Sequence, residues 1–461
     1  MCDKKAPLDK DAEIQRKDAE IQRLNARILD LERIIKEMQI QLNHKGIRKN
    51  SSNSSLPPST DLARKNSSLR EKTGRKQGGQ PGHEGNTLTM TKAPNETHEL
   101  IPEYCNGCGN ELTAIEAILE NKRQVVEIPP VAPIYIEFQS YSKTCSCGHK
   151  QIGDYPLGVT NHIQYGASIE AIIAYQSVYQ YTPFKRLQGL FIHCFHLPIS
   201  QGSINNILKR LSAKAGPIYD AIKNQIENSR QVGSDETGVK INGKKGWVWT
   251  WQNIFATFIS PSLNRSKDTI QKIFPNGFIN AILNSDRWKP HLNTFAKGHQ
   301  LCLAHLLRDL KYLIESEKHT WAESVRQLLL KALELKKQCA QYARDNPQVK
   351  EIENGMDVLL AQPLHKGQTP DTLNFQESMI KYREYIFTFL YYAEVPADNN
   401  GSERAIRNIK VKQKISGQFK TGQESFCILR SVIDTCIKNK VDVFEALKLI
   451  AQMPQPSPVN L

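Results

Sequence analysis

A chain of 461 residues and 52.3 kDa with 39% hydrophobic content can bury two or three cores and still leave polar linkers. Sixty-one Lys and Arg against forty-seven Asp and Glu give a net charge of +14, which suits a polyanionic partner, nucleic acid ahead of an anionic membrane surface. No run of about 18 apolar residues suggests a spanning helix, and "MCDKKAPLDKDAEIQ" lacks a secretory pattern, so a soluble cytoplasmic protein is expected.

From Asp11 to His44, Ile14, Ile21, Ile28, Ile35 and Leu42 recur at heptad spacing, with Leu24, Leu31 and Met38 between them. Ile at a and Leu at d predict a parallel two-stranded coiled coil over residues 1–48, and so a homodimer or higher oligomer. A helix folded onto the rest of the chain is the alternative. Residues 49–98 are rich in Ser, Asn, Pro and Gly and carry Arg64, Lys65, Arg70, Lys72, Arg75 and Lys76. Such a segment buries no core and reads as a flexible basic linker, or an arm that neutralises phosphates. "GGQPGHEG", Gly78 to Gly85, is turn-forming, and His83 within it reads as a loop histidine.

Short strand-like runs follow over residues 99–158, around Cys105 and Cys108 and around Cys145 and Cys147, the pairs being followed by Gly109 and Gly148. Ten cysteines are too sparse for a disulfide scaffold in a chain of this length, but four thiolates would close a tetrahedral structural Zn²⁺ site. His149 is an alternative ligand, and four unmetallated thiols are the bland reading. Residues 159–230 turn helical, broken by Pro183. There "PISQGSINNILKRL" reads either as the turn and second helix of a helix-turn-helix, N-capped by Ser200 or Ser203, or as part of an ordinary bundle.

After Arg230, "QVGSDETGVKING", "KGWVWTWQ" and "IFATFIS" read as a meander with a turn at Asn242 and Gly243, "SKDTIQKIF" as a helix and "FINAILNSD" as a fourth strand. "HQLCLAHL" adds another buried run, and a helical stretch from Arg308 to Ala343 follows. The expected fold is multidomain α/β: a ribonuclease-H-like catalytic core over 231–425 with a helical insertion at about 311–394, then a C-terminal helical module and tail over 426–461. In that architecture Asp235 on the first strand and Asp286 on the fourth lie side by side. Asp398 or Asn399 caps a helix through "NGSERAIRNIK", placing Glu403 in its first turn, where the helix dipole favours a negative side chain. Asp235, Asp286 and Glu403 would together hold two Mg²⁺ roughly 3.5–4 Å apart, one activating the nucleophile and one stabilising the leaving oxygen. Arg404, Arg407, Lys410, Lys412 and Lys414 are expected to line the DNA, positioning phosphate without reading sequence.

"NSSNSSLPPSTD", "KQGGQPGHEG", the cysteine pairs, "YTPFKRL", "GSDETGV" and "NNGSERAIRNIK" resemble, in order, the transposases of the insertion sequence 66 family. "SFCILRSVIDTCIKNKVDVFEALKLI" looks like that family's closing helical module, and the resemblance covers nearly the whole chain from about Lys45. It implies a bacterial or archaeal mobile element, a nucleoid-associated DDE transposase with Asp235, Asp286 and Glu403 as its acids, and Glu236 and Thr237 following the first. The partners it implies are double-stranded DNA at element ends and targets, and possible accessory proteins of the element. The chain departs from the pattern at "NSDRWKPHL", where the family has Gly and an aromatic after the second Asp. Asp268 competes for that role, but it lies at a helix start. Cys302 and His305 have ligand-like spacing yet read as a buried thiol and a helix-start histidine; His305 or Arg308 would otherwise contact a phosphate. The rival functions are a catalytically inactive DNA-binding regulator and a ribonuclease-H-like nuclease or resolvase.

Overall fold

The computed structural model describes residues 10–46, 49–50, 53–54, 82, 84–85, 87–317, 320–364 and 370–455. The basic run from Arg64 to Lys76 and His83 lie outside them, as do the side chains of Ile14 and Leu42. Helix α1 (Lys10–Gly46) is 37 residues long, about 55 Å at 1.5 Å per residue. Its heptad residues Ile21, Leu24, Ile28, Leu31, Ile35 and Met38 are each more than half exposed in the single chain.

Between α1 and the next helix, regular structure is sparse. Strands β1 (Ser142–Thr144) and β2 (Lys150–Ile152) form an antiparallel hairpin, with Cys145 and Cys147 in its turn. The run "RQVVEIPPV", strand-like by pattern, is extended without a ladder, and Val125 and Ile128 are exposed. A β-branched run needs a neighbouring strand to become a sheet, and the described residues offer it none.

Helices α2 (Ala167–Ala174), α3 (Phe184–Phe195), α4 (Gln201–Lys214) and α5 (Gly216–Glu227) follow, with one π-turn over Tyr175–Tyr179. Left-handed His196 (φ 49°) ends α3, and Ser200 caps α4 by accepting from the Ser203 N–H at 2.9 Å. The chain then enters a mixed sheet: β3 (Gln231–Ile241), β4 (Lys244–Gln252), β5 (Thr257–Ser262), helix α6 (Lys267–Ile273), β6 (Phe278–Ser285), the short α7 (Lys289–Leu292) and β7 (Ala296–Leu301). The strand order is β5-β4-β3-β6-β7; the first three are antiparallel, and β6 runs parallel to both β3 and β7. Asn242 and Gly243 turn β3 into β4 at positive φ of 46° and 77°, the conformation a two-residue hairpin of matching twist requires.

The helical insertion comprises α8 (Leu303–Glu317), α9 (Thr320–Gln338), α10 (Pro347–Ala361), α11 (Pro370–Lys381) and α12 (Thr388–Tyr391). It builds its own core, in which Leu306, Leu310, Val325, Leu329 and Met356 pack with Ile282, Leu301 and Val395 from the sheet side. Helices α13 (Asn400–Ser416), α14 (Gln423–Lys438) and α15 (Val443–Gln452) complete the described chain.

The segments expected at 159–230, 231–425 and 426–461 share one hydrophobic core. Phe426, Leu429 and Ile433 of α14 join Ile204 and Leu211 of α4 and Val248, Trp251 and Ile259 of the sheet. Strand β5 is the sheet edge, and α14 covers it: the Ile259 N–H donates to Ser431 Oγ at 2.9 Å and the Thr257 N–H to Thr435 Oγ at 3.2 Å. An edge strand under a helix would otherwise bury unpaired amides.

Candidate active site

Asp235 lies on β3, and Asp286 follows the last residue of β6. The parallel register Gln231↔Ile282, Val232↔Leu283 and Gly233↔Asn284, carried onward, brings both acids to the same end of the sheet on neighbouring strands. Side chains alternate along a strand, so Ser234 and Glu236 point to one face and Gly233 and Asp235 to the other. The start of α13 sits on the Asp235 face.

Two glycines permit that approach. A Cβ on Gly233 would stand 2.5 Å from Asn399 Oδ1 and Gln252 Nε2 and 2.8 Å from Ser402 Oγ, and one on Gly401 would stand 2.5 Å from Gln252 Nε2. The loop before α13 is strapped to the sheet. Asn284 Nδ2 donates to Pro396 O at 2.8 Å and Asp398 O at 2.9 Å, and Asn399 Nδ2 donates to Ser234 O at 2.7 Å. The Leu303 N–H donates to Ala397 O at 2.9 Å, while the Asn399 N–H donates to the buried Cys302 Sγ at 3.2 Å. Cys302 is thus a buried thiol supporting the loop. Asp398 Oδ1 accepts from the Asn400 N–H at 3.0 Å, which ties up the turn. Glu403 then stands in the first turn of α13.

Burial, then the Asp286, Glu236 and Glu403 carboxylates, hold the Asp235 carboxyl well above its ordinary range. Asp235 Oδ1 accepts from the Glu236 N–H at 2.8 Å and Asp286 Oδ1 from the Trp288 N–H at 3.0 Å. Glu403 is turned aside: its Oε1 accepts from Arg308 Nη2 at 2.7 Å and lies 3.7 Å from His305 Nε2. Burial, then the Arg308 cation, keeps His305 below its ordinary value. Among the described residues no three Asp, Glu, His or Cys side chains stand close enough to hold a metal ion. The donor chemistry nonetheless fits a hard divalent cation, since Asp235 is buried beside the Asp286 carboxylate and within the field of Glu403. Glu403 would have to leave Arg308 to join them.

The family model described as "Transposase IS66 family" matches residues 162–425, more than half of the chain. The chain belongs to the IS66 transposase family. A second model, "Family of unknown function (DUF6444)", matches residues 4–89, and no curated protein matches. The transposase match includes all three acids, the sheet and the helical insertion, and it supports a transposase role in an enzyme acting on DNA.

In this IS66-family transposase, Arg404, Arg407 and Lys414 are exposed on α13. Lys410 Nζ donates to Gly238 O at 2.7 Å. Lys412 does not face solvent as expected. It shares the buried stripe of Ser402, Ala405 and Ile409, donates from Nζ to Ser177 O in the π-turn at 3.4 Å, and is pushed down to about 8 by burial. Helical periodicity carries every third or fourth residue of α13 inward, and a π-turn leaves carbonyls for a cation to take.

The four cysteines form two separate knuckles. The Gly109 N–H donates to Cys105 O and the Gly148 N–H to Cys145 O, with both glycines at positive φ (78° and 88°). Backbone N–H groups, of Gly107 and Cys108 on one side and of Cys147 on the other, pull the Cys105 and Cys145 thiols down, as metal-binding thiols require. The two pairs are not brought together.

Sequence reasoning names Glu236 only as the residue after Asp235 and passes over Ser234, His291 and Arg265 behind Asp235. Glu236 Oε2 lies 2.6 Å from His291 Nε2, whose Nδ1 lies 3.0 Å from Ser234 Oγ, and Arg265 Nε donates to Glu236 Oε1 at 2.6 Å. The signal was available in part: strand alternation sends Glu236 to the core face, and a buried carboxylate needs partners. Nothing local pointed to His291 or Arg265. No helix among the described residues is long and apolar enough to cross a membrane.

Proposed function

We propose that this protein is a DDE transposase with a ribonuclease-H-like core, which cleaves the ends of its element and joins the resulting 3′-hydroxyls to target DNA. The observation that supports it most is the placement of acids on the 3-2-1-4-5 sheet: Asp235 on the first strand, Asp286 after the fourth, and Glu403 on the helix lying across the first. Two Mg²⁺ ions, when bound by these carboxylates, supply activation of a hydroxyl nucleophile and neutralisation of the leaving oxygen. The protein's own residues do the rest. The strap from Asn284 and Ser234 to residues 396–399 holds the start of α13 against the strands, and the reading requires a rotation of the Glu403 side chain away from Arg308 toward the two aspartates. Arg308, released by that rotation, is placed to meet a DNA phosphate, and Arg404, Arg407 and Lys414 continue the basic track along α13.

The remaining parts fit the same reading. The exposed seam of α1 is a dimerisation surface, and a parallel pairing sets Arg27 of one helix against Glu32 of the other at flanking heptad positions. Four thiolates on two knuckles form a structural zinc module once the pairs meet. Helix α4, capped by Ser200, presents Gln201, Asn206 and Lys209 to solvent as the recognition helix of a helix-turn-helix.

The test is a cleavage and joining assay with Mg²⁺ on DNA flanking the gene, run with Asp235→Asn, Asp286→Asn and Glu403→Gln. Loss of both steps in all three, with DNA binding retained, supports the assignment. Normal cleavage by Asp286→Asn removes that residue from the site, and binding without cleavage by the wild-type protein favours a regulator instead.

A further inference from the structure

Ser234, His291, Glu236 and Arg265 form a hydrogen-bonded array on the sheet face opposite Asp235. A carboxylate only accepts, so His291 Nε2–H donates to Glu236 Oε2, and Nδ1 is paired with the Ser234 hydroxyl. Arg265 reaches Glu236 Oε1 through Nε at 2.6 Å and Nη2 at 2.5 Å. Its guanidinium lies 3.8 Å from the centroid of the Trp288 ring and 4.9 Å from that of Trp247. Trp288 is the residue whose backbone N–H donates to Asp286 Oδ1. The array therefore begins at the two residues flanking Asp235 and ends at the residues just after Asp286.

Serine, histidine and carboxylate in a row invite comparison with a nucleophilic triad, but the burial rules that out. Ser234 and His291 are 1% and 0% exposed, and both imidazole nitrogens are already committed. No substrate reaches the serine. Filling the core is also a poor account, because apolar residues of similar size usually stabilise at least as well as a buried ion pair. What a polar array adds is fixed orientation.

We infer that Ser234, His291, Glu236 and Arg265 act as a clamp that sets the spacing of Asp235 and Asp286, which makes His291, Glu236 and Arg265 positioning residues for the divalent-cation site. This rests on the reading of Asp235 and Asp286 as cation ligands. The clamp grips β3 on either side of one acid and the Trp288–His291 segment beyond the other, a side-chain tie past the point where the β3–β6 pairing ends at Gly233 and Asn284. Misplacement of reacting groups by about 1 Å costs on the order of 100-fold in rate, so a small slip between them is enough to matter.

The experiment titrates Mn²⁺ into the full-length protein, following free Mn²⁺ by electron paramagnetic resonance, with Asp235→Asn as the site control. The test variants are Glu236→Gln, which keeps the shape but only one of the two accepting oxygens, and Arg265→Lys, whose side chain reaches the surface and so leaves the core intact. Both are expected to weaken the Asp235-dependent Mn²⁺ affinity about tenfold with unfolding midpoints near wild type. DNA cleavage by them should recover as Mn²⁺ is raised, a split that a merely structural role does not produce. Unchanged Mn²⁺ affinity in both variants overturns the clamp alone. So does a Glu236→Gln that loses stability and affinity together while Arg265→Lys changes neither. Wild-type protein with no Asp235-dependent Mn²⁺ binding overturns the clamp and the cation site together.

Discussion

Arg308 Nη2 donates to Glu403 Oε1 at 2.7 Å, so the acid proposed as the third cation ligand is paired with a protein cation. Arg308 and a divalent ion therefore compete for one carboxylate. Arg308→Ala is expected to bind Mn²⁺ several-fold more tightly in the absence of DNA, because an opposing charge next to the ligand is removed. The same variant should cleave DNA more slowly if Arg308 meets phosphate in the complex. Calorimetric titration with Mn²⁺ and single-turnover cleavage measure the two effects separately.

Gly233 is where β3 and the start of α13 come closest. In Gly233→Ala the new methyl meets Asn399 Oδ1 and Gln252 Nε2 at 2.5 Å, and the strap that carries Glu403 must shift. A loss of about 1–3 kcal/mol is expected in urea unfolding, with a disproportionate loss of cleavage. A fully stable and active Gly233→Ala would show that the approach is not needed.

Burial holds Lys412 at about 8, below the ordinary lysine value of 10.5. Between those two pH values the unfolded chain binds the extra proton, so Lys412 contributes stability that increases as pH rises through that window. At neutral pH the charged form costs up to roughly 3 kcal/mol. Lys412→Met should flatten the rise in stability between pH 8 and 10.5 relative to wild type, measured by urea unfolding across pH. The difference isolates Lys412 from Lys438, which burial also lowers to about 8.

DNA affinity separates the same residue from its neighbours. Arg404→Ala and Arg407→Ala should each reduce the slope of log affinity against log salt by about 1, as loss of one phosphate contact does. Lys412→Met should leave the slope unchanged, since its ammonium lies inside the protein. A lower slope for Lys412→Met would place that side chain on DNA after all.

Ser431 accepts the Ile259 N–H at the sheet edge. In Ser431→Ala that buried donor is left without its acceptor, and about 1–3 kcal/mol of stability should be lost. An unchanged urea midpoint would mean that β5 finds another acceptor.

Local chemistry in the chain determined the long heptad helix, the Asn242–Gly243 hairpin, a serine cap at Ser200 or Ser203, the strands that carry Asp235 and lead into Asp286, and the place of Glu403 in the first turn of a helix. Each depends on periodicity or on residues a few positions apart, which a sequence displays directly. Only the tertiary structure decided that Glu403 pairs with Arg308, that Lys412 turns inward to a π-turn, and that Glu236 is held by His291 and Arg265. It also decided that α14 belongs to the central core through its cover of β5, rather than to a closing module. These are contacts between residues from 29 to 235 positions apart. They follow from which faces of strands and helices meet, and no local pattern of residue types contains that information.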